Sequence, residues 1–327
     1  TWELSSKANE QTGENIIKRS RAARYLSMNV EKDFLWGLRV AQCSLWYRSD
    51  SPWVHAIAPP IEDRFNEFTT AEEEKASAVS RQLILQVNQT EISRDLRWQQ
   101  LVYRTKIWEL WKDNQDFLIF YNPMQPVLRV LRVAPDFSAG QVDGDFRPGE
   151  PGANQILPRE LEIVLFSNWL GSFGGWILHA AGVSLGGAGY AFVGHSGAGK
   201  STLAELLAQN ADVTLLGEDQ VVVRRQGKDF WIYGTPWHYF SSRYSPEGAP
   251  LKGLYFLDGK GESTLKNLTP LEGASQLLQT AFIPYYQPQF VQLILANLAD
   301  LTQQTPLRTF NFDKSSSPQY ILSRLLI

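Results

Sequence analysis

The residues with the clearest chemical pattern are Gly194-His-Ser-Gly-Ala-Gly-Lys-Ser201, which match GxxxxGK[ST] at every fixed position. Glycines at 194, 197 and 199 leave room for backbone N–H groups to turn toward phosphate oxygens, which a Cβ atom would obstruct. Lys200 would neutralise the β- and γ-phosphates, and the Ser201 hydroxyl would coordinate Mg²⁺. The segment therefore predicts a binding site for a nucleotide polyphosphate.

Two adjacent carboxylates, Glu218 and Asp219, follow this loop at a spacing that returns them to it. A helix of about ten residues starting at Lys200 carries the chain roughly 15 Å away. A strand of five or six residues ending near 216 brings it back by about the same distance. The acids should then lie level with Lys200, at the C-terminal end of a strand. One can hold Mg²⁺, and the pair can also accept a proton from an attacking hydroxyl; a solvated turn is the simpler alternative.

His179 is placed near the same loop by strand register. If Gly186–Gly189 is the loop of a hairpin, Leu185 faces Tyr190 and His179 falls opposite Ser196. A histidine there could polarise a phosphate or tune the pKa of a carboxylate. A core histidine bonded to a backbone carbonyl explains the same position equally well.

The elements that must position these residues alternate between strand and helix in the second half of the chain. Strands are predicted at 179–185, 190–193, 213–216, 220–225, 230–234 and 253–257, with another near 307–312. Helices are predicted at 158–170, 200–209, about 269–282 and 288–304, with a last one at the end of the chain. This pattern predicts an α/β domain over residues 156–327.

The first half, residues 1–150, carries no chemical motif and is predicted to be an α+β domain. Helical periodicity is read in 14–48 and in 73–112, which includes Leu83 and Leu85. Strand-like runs follow at 117–121 and 127–133, and the Gly- and Pro-rich cluster 147–155 marks the domain boundary. Recognition of an acceptor molecule is one role this half could have.

Composition and charge narrow the classes of function. The 31 Lys and Arg against 34 Asp and Glu give a net charge of −3, which provides no basic field for nucleic acid. One cysteine and four histidines exclude a disulfide framework and a cysteine-based zinc site, and they favour a reducing compartment. Residues 163–199 lack charged side chains, but their repeated glycines favour a buried sheet over a membrane span. We therefore expect a cytoplasmic protein with neither nucleic acid nor membrane as a partner.

The segment LHAAGVSLGGAGYAFVGHSGAGKSTLAELLAQNADVTLLGEDQVVVRR (178–225) resembles the catalytic core of HPr kinase/phosphorylase and its relatives. In that family a histidine lies fifteen residues before the first loop glycine, as His179 precedes Gly194, and a later strand ends in an acidic pair. Less specific likenesses lie in YGTPWHYF (233–240) and APLKGLYFLD (249–258). The resemblance covers about 160–327. It implies a P-loop domain of the phosphoenolpyruvate-carboxykinase type, in which the loop's strand belongs to a mixed sheet.

The same resemblance implies an ATP- and Mg²⁺-dependent kinase with Asp219, His179 and Lys200 as its catalytic residues. The metal ligands would be Ser201, Glu218 and Asp219. The ATP-phosphate cradle would comprise Gly194, His195, Ser196, Gly197, Ala198, Gly199, Lys200, Ser201 and Thr202. Glu218 and His195 stand where the family commonly has aspartates, and Pro250-Leu-Lys-Gly253 replaces a segment that the family uses for its protein substrate.

Two functions from different classes remain open. One is a kinase that transfers the γ-phosphate of ATP to a hydroxyl of a protein, a peptide or a small molecule. The other is an ATP-binding regulatory or interaction module with little or no turnover. A GTPase is disfavoured, because guanine selection normally uses N-K-x-D and Asn297-Leu-Ala-Asp300 lacks the lysine. The sequence leaves the acceptor and homo-oligomerisation open.

Overall fold

A computed structural model of the chain is built on two β-sheets with mixed strand directions. It describes residues 34–55, 68–70, 81–90, 92, 100–112, 118–121, 129–146, 155–237, 244–258, 264–313 and 316–325. The expectation of an α/β chain with a mixed sheet is confirmed. In the part of the chain so described, no helix has both the length and the apolar character needed to cross a membrane.

The first sheet is formed by residues of the N-terminal half. Its described strands are β1 (Phe34–Val40), β2 (Cys43–Arg48), β3 (Thr69–Thr70), β4 (Arg81–Gln89), β5 (Gln100–Arg104), β6 (Glu109–Lys112), β7 (Leu118–Tyr121), β8 (Arg129–Val133) and β9 (Gly140–Gly144). Across the sheet they lie in the order β3-β1-β2-β4-β9-β8-β7-β6-β5. Strand β4 pairs in parallel with β2 and β9. A short helix, α1 (Pro52–His55), follows β2.

The predicted helical character of this half is wrong wherever the structure describes it. The segments 14–48 and 73–112 contain β1, β2, β4, β5 and β6, and their other residues lie mostly outside the described ranges. Leu83, Leu85 and Val87 are buried at every second position of β4, whereas Ile84 between them is 36% exposed. This period of two is that of a strand buried on one face, and it outweighs the looser helical spacing.

Two strands predicted in the first half are present in the structure. The strands expected at 117–121 and 127–133 are confirmed as β7 and β8. The turn expected between them lies outside the described residues, as does most of the boundary cluster 147–155.

The second sheet carries the phosphate-loop motif. Its described strands are β10 (Trp176–Leu178), β11 (Ala180–Leu185), β12 (Ala188–Val193), β13 (Val213–Gly217), β14 (Val221–Gln226), β15 (Asp229–Tyr233), β16 (Gly248–Phe256), β17 (Thr264–Asn267), β18 (Ala281–Phe282) and β19 (Leu307–Asn311). The main path is β13-β11-β12-β16-β15-β14-β10-β18, and β19 adds to β16 and β17. Strand β12 is antiparallel to β11 and parallel to β16.

The helices of the second half lie close to their predicted positions. They are α2 (Arg159–Gly171), α3 (Lys200–Leu207), α4 (Pro270–Thr280), α5 (Pro288–Gln304) and α6 (Pro318–Leu325). Pro158 precedes α2, as expected from a residue that can start but not continue a helix. A capping box between Thr269 and Glu272 begins α4.

The hairpin between β11 and β12 has a different register from the one predicted. Leu185 pairs with Ala188, not with Tyr190, and Ala180 pairs with Val193. The loop is therefore the two residues Gly186 and Gly187, with φ angles of +56° and +79°. Two-residue hairpin turns with positive φ match the right-handed twist of the strands. His179 consequently lies level with the start of the phosphate loop and not opposite Ser196.

A hydrophobic core joins the two halves of the chain. One buried cluster includes Leu85 and Leu131 of the first sheet, Leu165 of α2 and Val222 of the second sheet. Across the same junction, the guanidinium of Arg224 in β14 donates a 2.8 Å hydrogen bond to the carbonyl of residue 41. The division of the chain into domains 1–150 and 156–327 stays a prediction. Helix α2 packs where the two sheets meet, which places its first turns beside His179 and Asp219.

Candidate active site

The loop that joins β12 to α3 (residues 194–199, called the cup) has a shape that depends on glycine. Gly197 and Gly199 have φ angles of +83° and +99°, a region that residues with a side chain rarely adopt. A Cβ atom on Gly194 would lie 2.7 Å from the carbonyl oxygen of Leu257. Gly199 is also the N-cap of α3, so the first free amides of this helix face the loop. Such a helix start favours an anion.

Lys200, the first residue of α3, turns its side chain back into this loop. Its Nζ donates to the carbonyl oxygens of Gly194 at 2.8 Å and His195 at 3.1 Å. The same Nζ lies 3.1 Å from His179 Nε2. The residue is only 6% exposed, and burial lowers the pKa of its amine, partly offset by the charge of Asp219. A buried ammonium is therefore held at the mouth of the cup.

His179 and Asp219 meet because each lies at a break between two strands. His179 separates β10 from β11, and Asp219 separates β13 from β14. The backbone ties the breaks together, since the amide of residue 180 donates to the carbonyl of Asp219 at 3.1 Å. His179 Nδ1 lies 3.1 Å from Asp219 Oδ1. The pKa of Asp219 is lowered mainly by this hydrogen bond, against the effect of burial, with help from the charges of Lys200 and Arg159.

The other predicted cradle residues differ in how they meet solvent. His195, Ser196 and Ser201 are exposed, Thr202 is half-buried and Ala198 is buried. His195 Nδ1 lies 2.7 Å from the carbonyl oxygen of Ser196, so its ring folds onto the loop itself. The backbone of His195, by contrast, helps to hold Lys200, because its carbonyl oxygen accepts a hydrogen bond from Lys200 Nζ. Assignment of these residues to ATP stays a prediction.

The metal ligands expected from the sequence are all oxygen donors. Glu218 is buried, at 7% exposure, and precedes Asp219 at the end of β13. In the described ranges, no three or more His, Cys, Asp and Glu side chains converge on a site for a metal ion. Mg²⁺ does not need such a group, because it takes one or two carboxylates together with phosphate oxygens and water. The donor set of Ser201, Glu218 and Asp219 is therefore compatible with magnesium.

A cavity of about 610 Å³ adjoins His179 and Asp219, and no sequence pattern predicted it. Its lining combines Tyr103 and Trp108 from the first half with residues of α2 and of the segment after β18. Trp108 lies 51 positions before Arg159, and Ser167 lies 115 positions before Phe282, so no local motif could mark the cavity.

Comparison with known proteins identifies no family. No protein-family model matches the chain, and no curated protein matches it by sequence. Among solved structures, the HPr(Ser) kinase/phosphatase from Coxiella burnetii matches at 11% identity and a TM-score of 0.26. The match covers 46% of this chain and 93% of the other. A likeness this distant does not determine what the chain does, so its function must be argued from the site.

Proposed function

We propose that this chain is an ATP- and Mg²⁺-dependent kinase that transfers the γ-phosphate to a hydroxyl of a protein, a peptide or a small molecule. The observation that carries the proposal is the position of the His179 ring. One ring nitrogen lies 3.1 Å from Lys200 Nζ and the other lies 3.1 Å from Asp219 Oδ1. An amine suited to phosphate and a carboxylate suited to a proton are thus separated by a single imidazole.

The loop and α3 would bind the polyphosphate of ATP. The amides of residues 194–199 and the N-terminal end of α3 would donate to phosphate oxygens. Lys200 would exchange its hydrogen bonds to the loop carbonyls for hydrogen bonds to phosphate oxygens, which requires only a small movement of its Nζ. Ser201, Glu218 and Asp219 would hold Mg²⁺, which supplies charge neutralisation on the phosphate oxygens when bound.

Asp219 would accept the proton of the attacking hydroxyl. Its lowered pKa keeps it ionised near neutral pH, as a proton acceptor must be. His179 would act as a positioning residue. With its proton on Nδ1 it donates to Asp219, which leaves Nε2 to accept from Lys200. The ring therefore holds both groups in place.

Chemically, phosphoryl transfer needs little more than this placement. The hydroxyl oxygen forms a bond to the γ-phosphorus while the bond from that phosphorus to the bridging oxygen of ADP breaks, and the hydroxyl proton goes to Asp219. Positioning and neutralisation of charge provide most of the rate enhancement in reactions of this kind.

The proposal is tested by following phosphate from [γ-³²P]ATP with Mg²⁺ into a panel of acceptors: glycerol, p-cresol, and peptides containing serine, threonine or tyrosine. We expect labelled product with the wild-type chain and its loss in Asp219→Asn, which should still bind ATP. Lys252→Met is the control, because Lys252 is an exposed lysine on β16. ATP binding without transfer to any acceptor would favour the interaction module, and the absence of ATP binding would refute both functions.

A further inference from the structure

The cavity next to His179 and Asp219 is separate from the phosphate loop. Its lining includes these two side chains and, within the described residues, none of residues 194–202. Its volume of about 610 Å³ falls within the usual range of ligand pockets, about 300–1,000 Å³. A nucleotide on the loop and a second molecule in the cavity can therefore meet at Asp219 without competing for the same space.

Aromatic rings from both halves of the chain form much of the cavity wall. Tyr103 and Trp108 belong to the β5–β6 hairpin, and Tyr286 follows β18. The ring centroid of Tyr103 lies 5.4 Å from the centroids of both Trp108 and Tyr286. Asn168 of α2 donates a 2.8 Å hydrogen bond to the Tyr286 hydroxyl, whose pKa is raised to about 12 by burial. This part of the wall is thus aromatic, and Tyr286 within it is held in position by α2.

The charged groups of the lining carry opposite signs. Arg159 and Glu160 lie in the first turn of α2, and Asp219 lies across from them. Arg159 is already engaged, since it donates a 2.8 Å hydrogen bond to the carbonyl oxygen of Trp237 and its charge helps to lower the pKa of Asp219. With one positive and two negative side chains, the lining repels an anionic molecule, and its apolar and aromatic walls favour a flat apolar group.

From these observations we infer that the cavity is the acceptor site and that it takes a compound that carries no negative charge and combines an apolar ring with a hydroxyl group. This inference rests on the proposed kinase function. The ring would pack against Tyr103, Trp108 and Tyr286, which directs the hydroxyl toward Asp219. A free cyclic alcohol or phenol and the side chain of a tyrosine residue share this chemistry. The N-terminal half would then contribute to substrate specificity through β5 and β6.

Binding to the cavity is measured without any need for catalysis. Ligand-observed NMR with the full chain would compare p-cresol and cyclohexylmethanol with N-acetyl-tyrosinamide, a tyrosine peptide, and glycerol as the polar control. We expect the ring compounds to bind and glycerol not to bind. Stronger binding of the free alcohols identifies a small-molecule acceptor, and stronger binding of the tyrosine peptide identifies a peptide acceptor.

Two variants locate the binding. Ile163→Trp places a large ring in the cavity from α2 and should weaken binding at least tenfold, a change typical of pocket contacts. Ile107→Ala removes an apolar contact from the β5–β6 hairpin and should weaken it about threefold. The matched control is Leu295→Ala on α5, because Leu295 is 41% exposed and Ile107 is 40% exposed. Ile107 is partly in solvent, so its variant also guards against a folding defect in Ile163→Trp.

The outcomes separate this inference from the proposed function. Binding of ring compounds that Ile163→Trp or Ile107→Ala weakens and Leu295→Ala does not would support the cavity as their site. Equal binding by all variants would overturn it. Phosphorylation of glycerol or a serine peptide without any binding of ring compounds would also overturn it, while leaving the kinase intact. Binding of ring compounds without transfer to any acceptor would overturn the kinase and the acceptor role together.

Discussion

Replacing Lys200 with methionine should weaken ATP binding while changing the free energy of unfolding little. The change keeps an unbranched side chain of similar length and removes the charge. In the free protein this charge is buried, and burial lowers the pKa of the amine. The unfolded chain therefore binds more protons than the folded one between the lowered pKa and the ordinary value of about 10.4, so this group lowers stability at neutral pH and does so less as pH rises.

The expected magnitudes follow from the contacts of Lys200. Methionine relieves the burial of charge but gives up the bonds to Gly194, His195 and His179. These effects oppose one another, and we expect the free energy of unfolding to change by no more than about 1 kcal/mol, which is about 1–2 °C in Tm for a chain of 327 residues. For ATP, loss of charge-assisted bonds of about 1.5–3 kcal/mol weakens binding about 10- to 150-fold.

The assay is isothermal titration calorimetry with ATP and Mg²⁺, alongside thermal unfolding of the nucleotide-free chain. Lys252→Met is the matched control, because this lysine of β16 is exposed. The reasoning is refuted if Lys200→Met binds ATP as tightly as the wild-type chain, or if Lys252→Met loses as much affinity. A fall in Tm much larger than expected would show that the ammonium stabilises the fold.

Three further predictions concern the loop, the acid and the cavity wall. Gly197 and Gly187 have φ of +83° and +79°, so Gly197→Ala and Gly187→Ala should each lose about 1–2 kcal/mol of stability in thermal unfolding. Only Gly197→Ala should weaken ATP binding in calorimetry. Equal ATP affinity in the two variants would contradict phosphate binding by the loop. Asp219→Asn should lower kcat for phosphate transfer by about 10²–10⁴-fold. Because the fold lowers the Asp219 pKa, its stabilisation is present above about pH 3.9 and lost below it, so Tm should fall more steeply with acid in the wild-type chain than in this variant. Tyr286→Phe should lower the free energy of unfolding in denaturant by about 1 kcal/mol, because Tyr286 accepts the hydrogen bond from α2. Tyr285→Phe should change it very little, because Tyr285 is 65% exposed. Equal losses in the two variants would show that this hydrogen bond does not hold the cavity wall.

Local chemistry explains why the backbone shape of the loop at residues 194–199 and the helix after it could be predicted well. Glycines that need positive φ, a helix start at Lys200 and an apolar strand before them are properties of neighbouring residues. The return of the chain to Asp219 follows from the rise per residue of one helix and one strand. Each of these inferences needs only geometry within about 25 residues.

The wrong predictions concern segments in which the spacing of apolar or glycine residues fits two structures equally well. Leu83, Leu85 and Val87 fit a strand by their period of two, yet neighbouring apolar residues also gave a helical spacing. Only pairing with β2 and β9 settles the choice. The hairpin register likewise depended on whether two or four residues turn, and a shift there moved the predicted level of His179.

By itself the sequence determined a loop shaped by glycine, the lysine within it and an acidic residue carried back toward it, because short-range backbone geometry dictates all three. Only the tertiary structure decided that His179 bridges Lys200 and Asp219, since two separate strand breaks have to meet for that contact to form. The aromatic cavity likewise depends on the tertiary structure. Its walls come from distant parts of the chain, and burial of a shared apolar core, which carries no local signature, is what brings them together.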